Sequence, residues 1–207
     1  MKQVIIATTN PGKCKEIVSA LGSLDGVELL SLADLEESYP DVEETGAGYG
    51  ENALIKARHY YDLLGKPIIA EDSGIEVSAL ADELGVHTRR WGAGPDANDA
   101  EWLATFMDRM AGEEDRAARF VSHCVYVDEQ GHHTFEGECR GQITLDIESE
   151  LESGIPLSAV FKPERYDKVY SAMSAEEKNA ISHRGWSVRC LREFLLAQMN
   201  EPTFMRS

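Results

Sequence analysis

The stretch Val4-Ile5-Ile6-Ala7-Thr8-Thr9-Asn10-Pro11-Gly12-Lys13 carries the signals that decide the fold. It begins with a short apolar run rich in β-branched residues, which predicts a buried strand. A turn cluster over 8–12 ends that strand. Ile17, Leu21 and Leu24 then recur at helical spacing, so a helix is expected to follow. The chain thus begins with a strand, a polar loop and a helix.

The remainder of the chain continues to alternate helical and strand patterns, with no internal repeat and no long linker. Further helices are predicted over 49–64, after a cap at Asp99, after the capping box Ser174-Ala175-Glu176-Glu177, and over 187–199, with an interruption over 182–185. Further strands are predicted over 67–70, 120–127 and 133–145. We therefore predict one α/β domain over 1–200, followed by a frayed tail over 201–207.

Composition limits the classes of partner. The chain has 207 residues, with 20 Lys and Arg against 37 Asp and Glu, so its net charge is −17. Such a charge repels nucleic acid polymers, which need a basic binding surface. A small anionic substrate needs a local cluster of cations, a divalent metal ion, or both. No apolar run has the roughly 20 residues of a membrane span. The four cysteines form no Cys-x-x-Cys pair, which predicts a cytoplasmic protein with reduced, mostly buried thiols.

Three polar segments are candidates for a functional site. The segment over 8–13 can hold phosphate with backbone N–H groups, hydroxyls and a lysine, but its spacing alone favours an ordinary strand-to-helix turn. Glu71-Asp72-Ser73-Gly74 follows a strand, where a carboxylate can hold Mg²⁺ or accept a proton from water. Turn chemistry is the alternative there. Lys178, His183 and Arg184 can form a cationic pocket wall or a solvated helix end.

Taken together, these segments resemble one family, the inosine triphosphate pyrophosphatases, also called non-canonical purine NTP pyrophosphatases or XTP/dITP diphosphatases. The blocks that carry the resemblance are T-T-N-P-G-K over 8–13, E-E-T-G over 43–46, E-N-A-L-I-K-A over 51–57, E-D-S-G over 71–74, T-R-R-W over 88–91 and E-E-K-N-A-I-S-H-R-G over 176–185. Several motifs in one order are far more specific than any single motif.

The resemblance implies an elongated α/β fold, with a long central mixed sheet flanked by helices and two lobes around an active-site cleft. It also implies a homodimer that hydrolyses a nucleoside triphosphate to a monophosphate and pyrophosphate with Mg²⁺. Asp72 would then be the catalytic carboxylate and a metal ligand. Glu44, or its neighbour Glu43, would lie near the metal, and Glu71 is a further candidate ligand.

The resemblance also assigns residues to the substrate. The triphosphate would be held by Thr8, Thr9, Asn10, Gly12 and Lys13. Further substrate contacts would come from Lys56, Ser73 and Lys178, and the base would be held by His183 and Arg184.

One block departs from the family. The family has a G-F-G-Y/W-D-P-x-F block where this chain has G-I-P-L-S-A-V-F over 154–161. Ile155 replaces the aromatic residue that stacks on the purine, and Ser158 replaces the Asp that reads the base edge. We keep Ser158 as a candidate substrate contact. Glu71 similarly replaces the first Asp of the family's D-D-S-G block. Because base stacking contributes about 1–3 kcal/mol, the change at Ile155 predicts an altered base preference.

Three functions therefore stay open. The default is removal of ITP, dITP and XTP from the nucleotide pool. The second is a diphosphatase whose rebuilt pocket selects another base. The third is a nucleotide-binding sensor without catalytic turnover. The argument against a sensor is the presence of the candidate catalytic and phosphate-binding residues Asp72, Lys13, Lys56 and Lys178. A purely structural α/β protein would leave the ordered motifs unexplained.

Overall fold

The computed structural model describes residues 2–37, 39–81, 83–84, 91–94 and 96–200. Its strands are β1 (Lys2–Ile6), β2 (Val27–Ser31), β3 (Ile68–Val77), β4 (Ala117–Asp128), β5 (Gly131–Ile143) and β6 (Phe161–Pro163). Its α-helices are α1 (Pro11–Leu21), α2 (Tyr49–Leu64), α3 (Asp99–Arg109), α4 (Ala175–Ile181) and α5 (His183–Asn200). The predicted frayed tail over 201–207 and residues 88–90 of the T-R-R-W block lie outside the described residues.

The six strands form one mixed sheet in the order β2-β1-β3-β4-β5-β6. Strand β1 pairs with both β2 and β3 in parallel. The pairs β3–β4, β4–β5 and β5–β6 are antiparallel. The predicted fold class, an α/β domain built on a long mixed sheet, is therefore confirmed.

Helices cover both faces of the sheet at its β1 end. Ile5 and Ile6 face opposite sides, because side chains alternate along a strand. Ile6 packs with Ile17 of α1 and Leu191 of α5. Ile5 packs with Ala57 of α2 on the other face. These two cores form the first lobe of the molecule.

A third core forms the second lobe, at the far ends of β3 and β4. Ile75 of β3 lies there with Phe106 of α3, Phe161 of β6 and Tyr170, and all four side chains are buried. Strands β3 and β4 run through both lobes and contribute residues to all three cores. The space between the lobes opens above the carboxyl end of β1, where ligands bind in α/β sheets.

The predicted turn at Glu71-Asp72-Ser73-Gly74 is wrong, because β3 continues through it to Val77. Asp, Ser and Gly favour turns as isolated residues. Here an unbroken antiparallel pairing with β4 holds the backbone from Ile68 to Val77. Tertiary pairing overrides local propensity in this segment. As a result Glu71 and Asp72 project from opposite faces of the sheet.

Two helix starts also differ from their predictions. Asn98, not Asp99, caps α3, and its side chain accepts hydrogen bonds from the N–H groups of Ala100 and Glu101. The interruption predicted over 182–185 is confined to Ser182, which ends α4, since α5 begins at once with His183. The predicted bounds of α2 and the capping box of α4 are confirmed.

Two further observations concern the cysteine thiols and the character of the helices. The four cysteines have free thiols, but only Cys124 is fully buried, so the expectation of mostly buried thiols is wrong. Within the described residues, no helix combines the length and the apolar character that crossing a membrane would require.

Candidate active site

A cavity of about 670 Å³ lies between the two lobes. Its size falls within the range of ligand sites, roughly 300–1,000 Å³. The predicted site residues that line it are Thr8, Thr9, Asn10, Lys13, Glu44, Lys56, Asp72, Ser73, Ser158, Lys178, His183 and Arg184. Gly12 and Glu71 do not line it. The sheet therefore gathers segments that are far apart in the chain into one cleft.

The loop after β1 forms one wall of the cleft. Asn10 caps α1 by accepting a hydrogen bond from the Lys13 N–H at 3.0 Å, and the Thr8 hydroxyl accepts one from the Asn10 N–H at 3.2 Å. These bonds fix the start of α1, whose positive end favours an anion such as phosphate. The Asn10 side chain is thus committed to the cap and the loop as well as facing the cleft.

The opposite wall is tied to this loop. The Asn10 Nδ2 donates to the Gly154 carbonyl at 2.8 Å, and the Gly154 N–H donates to Asp99 at 2.6 Å. Gly154 has φ +80°, and a Cβ there would collide with the Asn10 side chain. A Cβ on Gly12 would lie 2.6 Å from the Ser153 carbonyl oxygen. Both glycines let the two loops touch, and this contact closes one side of the cleft.

Glu71 lies on the sheet face that is covered by α1 and α5. Its carboxylate pairs with Lys13 at 3.0 Å and with the Arg184 Nε at 3.2 Å, and accepts a hydrogen bond from Ser122 at 3.0 Å. Burial raises the pKa of Glu71, but Arg184 and Lys13 outweigh it and hold the pKa well below its ordinary value. Arg184 also donates to the Ser73 hydroxyl at 2.8 Å. Glu71 thus fixes two cations and does not join Asp72.

Asp72 faces α2 on the other side of the sheet. Its carboxylate accepts hydrogen bonds from Asn52 Nδ2 at 3.2 Å and from the Ser73 N–H at 2.9 Å. Burial raises the pKa of Asp72, and the nearby carboxylates of Glu71 and Glu44 raise it further, against the opposing effect of Lys13 and Lys56. The result is a carboxylate that is more basic than usual, at the edge of a polar cleft.

Asp72 and Glu44 are the carboxylates that fit a hard metal ion. Glu44 pairs with Lys56 at 2.7 Å and lies close enough to Asp72 to affect its pKa. Mg²⁺ prefers oxygen ligands and is commonly bound by one or two carboxylates together with substrate phosphates. Two carboxylates facing an open cleft match that pattern. Within the described residues, no group of three or more His, Cys, Asp or Glu side chains is arranged to hold a metal by itself.

Lys178 lies at the other end of the cleft. Its ammonium contacts Glu16, both oxygens of Glu152 at 3.2 and 3.3 Å, and the Ser158 hydroxyl at 3.3 Å. Glu16 also pairs with Arg184. A chain of alternating charges therefore runs below the cleft and connects its two ends.

His183 belongs to a cluster of aromatic rings at the same end. Its ring stacks on Phe120 at 4.6 Å between centroids and lies 6.2 Å from Tyr170. Burial and the adjacent Arg184 lower the pKa of His183 to about 3, so the ring is neutral at physiological pH. The lining of the cleft also includes Trp102 and Ile155, and Ile155 lies beside Gly12. The aromatic rings near Lys178, together with the lysines at the other end of the cleft, suit a ligand with a planar base and an anionic tail.

Three residues at the site were missed from the sequence. Glu16 lies three residues after Lys13 on α1, and Asn52 lies four residues before Lys56 on α2, so helical spacing could have placed them beside assigned residues. Glu152 left no such signal, since its partner Lys178 lies 26 residues away in the chain.

Known proteins resemble this chain over most of its length. The Ham1 family matches residues 4–194. A dITP/XTP pyrophosphatase of Leptospira interrogans is 38% identical over 194 residues, covering 94% of this chain and 97% of the relative. A dITP/XTP pyrophosphatase of Thermus thermophilus is 39% identical over 196 residues, covering 92% and 90%.

Solved structures give the same assignment. A HAM1 protein from Coxiella burnetii superposes with a TM-score of 0.80 at 30% identity, covering 95% of this chain and all of that one. The Ham1 protein of Staphylococcus aureus gives 0.78 at 29% identity, with the same coverage. The resemblance found in the sequence motifs is confirmed, and the chain belongs to the Ham1 family.

Proposed function

We propose that this protein is a Mg²⁺-dependent nucleoside triphosphate diphosphatase that hydrolyses dITP, ITP and XTP to the monophosphate and pyrophosphate. The observation that carries the proposal is the position of Asp72, a carboxylate of raised pKa in a cleft that Lys13 and Lys56 also line. Relatives of similar length that bear the name dITP/XTP pyrophosphatase support the substrate class.

The residues of the cleft divide the work of this hydrolysis. Asp72 orients the attacking water and accepts its proton, as a general base does. The bond between the α- and β-phosphates breaks, and charge accumulates on the phosphate oxygens. Lys13, Lys56 and the N-terminus of α1 stabilise that charge. Neither lysine is free to move widely, because Glu71 and Glu44 hold their ammonium groups.

Asp72 and Glu44 are the residues that would hold Mg²⁺. When bound, the ion supplies positive charge that neutralises the triphosphate. In this arrangement Glu71 acts on Lys13 and Arg184 instead of on the metal, since its carboxylate is occupied by both cations.

The base would lie at the Lys178 end of the cleft, against the aromatic rings near His183. One observation favours a second candidate function, a diphosphatase with a different base preference. Ile155 is aliphatic and cannot stack on a base as an aromatic ring does. Ser158, also at this end, is a neutral hydroxyl that can donate as well as accept a hydrogen bond.

Pyrophosphate release with Mg²⁺ tests these alternatives on a panel of ribo- and deoxynucleoside triphosphates that includes ITP, XTP, dUTP and the standard eight. Preferred release from ITP, dITP and XTP, abolished by Asp72→Asn, supports the default. Release confined to another base supports a rebuilt pocket. Binding without release from any nucleotide would overturn both and favour a sensor.

The homodimer and the cytoplasmic location stay predictions of the sequence and the resemblance. Sedimentation equilibrium tests the first, with a mass near twice 22.9 kDa as the expected result.

A further inference from the structure

The two carboxylates that fit a metal ion come from separate parts of the chain. Asp72 lies in β3, whose backbone is held by its pairing with β4. Glu44 lies in the stretch 39–46, which forms neither helix nor strand. The two carboxylates also disfavour each other, since Glu44 is one of the charges that raise the pKa of Asp72. Their relative position therefore depends on side chains that join the loop to the strand.

One buried side chain bonds to both segments. Asn52 lies near the start of α2 and is 3% exposed. Its Oδ1 accepts a hydrogen bond from the Gly46 N–H at 2.8 Å, and its Nδ2 donates to the Asp72 carboxylate at 3.2 Å. The amide cannot turn over, because the Gly46 N–H only donates and an ionised carboxylate only accepts. Asn52 therefore links the loop to the Asp72 carboxylate in one defined orientation.

A second contact, one helical turn later, repeats this arrangement. Lys56 follows Asn52 by four residues, so both side chains project from the same face of α2. The Lys56 ammonium pairs with Glu44 at 2.7 Å and donates to the Glu71 carbonyl at 3.4 Å. Helix α2 thus joins the loop to β3 at two successive levels, and Asn52 forms the first of them.

We propose that Asn52 is a positioning residue, which holds Asp72 and the loop of Glu44 at the spacing that one divalent cation needs. The proposal rests on the proposed function, because it takes these two carboxylates as the metal ligands. A neutral amide suits this role, whereas the charge of Lys56 is attracted by the phosphates of a substrate. The bonds of Asn52 orient the carboxylate before the cation arrives, as the hydrogen-bond partners of metal ligands do.

The close approach of Gly46 to α2 supports a fixed contact. A Cβ on Gly46 would lie 2.7 Å from the Asn52 Oδ1 and 2.6 Å from the Glu51 Cβ. The loop therefore packs directly against the helix at this point. Gly46→Ala moves the loop away from Asn52 without changing a polar side chain, so it breaks the same link from the other side.

The test measures Mn²⁺ affinity from the electron paramagnetic resonance signal of the free ion, and the Mg²⁺ and ITP dependence of pyrophosphate release. The variants are Asn52→Ala, Gly46→Ala and the double variant. We expect each single variant to weaken Mn²⁺ binding about tenfold, within the range for loss of such a partner. The double variant should bind Mn²⁺ no more weakly than the weaker single one, because both changes break one link. At saturating Mg²⁺ the KM for ITP should stay unchanged, since Lys13 and the start of α1 are untouched.

Glu51→Ala is the matched control. Glu51 accepts a hydrogen bond from the Ala47 N–H at 2.8 Å, so it anchors the same loop from the exposed side of α2. Its variant should leave the Mn²⁺ affinity unchanged. An equal loss in Glu51→Ala and Asn52→Ala would overturn the proposal, because anchoring of the loop alone would then explain both.

Unchanged Mn²⁺ affinity in Asn52→Ala would also overturn the proposal. Urea unfolding shows whether each variant folds, and Gly46→Ala decides the question if Asn52→Ala does not. Absence of pyrophosphate release by the wild type would instead overturn the proposed function, while the Mn²⁺ affinities would still decide the role of Asn52.

Discussion

Glu71 and Asp72 are neighbours in β3, yet the two faces of the sheet give them opposite properties. Glu71 is 1% exposed and Asp72 is 8% exposed, so burial penalises both charges. On the α5 face, Arg184 and Lys13 more than compensate Glu71, whose pKa falls. On the α2 face, Asp72 lies near other carboxylates and its pKa rises.

The difference separates a carboxylate that is held by cations from one that keeps its affinity for a proton. A buried acid that is matched by cations at 3.0 and 3.2 Å has a reduced affinity for a proton. A buried acid that is only partly matched keeps that affinity, and a general base needs it. Because strand side chains alternate, one strand can provide both functions in two adjacent residues.

Asp72→Asn should produce the largest loss of activity. We expect pyrophosphate release to fall about 10³-fold, within the range for loss of a general base. The free energy of unfolding should change by less than about 1 kcal/mol, because losing a strained charge offsets a weakened hydrogen bond. Initial rates and urea unfolding measure the two effects.

Asp62→Asn, an exposed acid on α2, is the matched control and should alter neither quantity. A variant of Asp72 that retained a tenth of the wild-type rate would contradict its role as the base.

The sequence predicts the elements whose signals are local. The bounds of α2 are correct because an apolar stripe and a glycine at 65 define it within one segment. The strand predicted over 67–70 ends too early, because the segment at Glu71 and Asp72 is stabilised by pairing with β4, some fifty residues away in the chain. Local propensity contains no information about that pairing.

The candidate site is likewise predicted only in part by the sequence. The residue types at Lys13, Asp72 and Lys178 indicate phosphate and acid–base chemistry, and the structure brings all three to one cleft. No sequence signal shows that Glu71 projects from the sheet face opposite Asp72, or that Glu152 reaches Lys178. Those facts depend on strand alternation and on a loop contact across the cleft.

Glu71→Gln should have its main effect on stability, whereas Asp72→Asn has its main effect on activity. Removing one partner of a buried ion pair leaves uncompensated charge, here on Arg184 and Lys13. We expect the free energy of unfolding to fall by roughly 3 kcal/mol. Urea unfolding at neutral pH measures the loss.

Glu138→Gln provides the comparison, since Glu138 pairs with Arg119 on the exposed surface of the same sheet. Exposed pairs contribute about 0–1 kcal/mol, so this variant should stay within that range. A loss at Glu71 no larger than that at Glu138 would mean that the buried cluster does not stabilise the fold.

The two carboxylates should also respond to pH with opposite signs. Asp72 has a folded pKa above its unfolded value of about 3.9. Its contribution to stability is present below the unfolded pKa and is lost as pH rises through the folded pKa. Glu71 has a folded pKa below its unfolded value of about 4.3. Its contribution is present above the unfolded pKa and is lost as pH falls through the folded pKa.

Unfolding free energies measured between pH 3 and pH 7 separate the two effects. The stability advantage of the wild type over Glu71→Gln, measured as unfolding free energy, should grow as pH rises. The corresponding difference between the wild type and Asp72→Asn should decrease as pH rises. With Mg²⁺ bound, kcat/KM should fall about tenfold per pH unit once Asp72 becomes protonated, since the protonated acid cannot act as a base. Equal pH trends for the two variants would show that the faces of β3 do not differ in charge compensation, and the assignment of the base to Asp72 would fail with them.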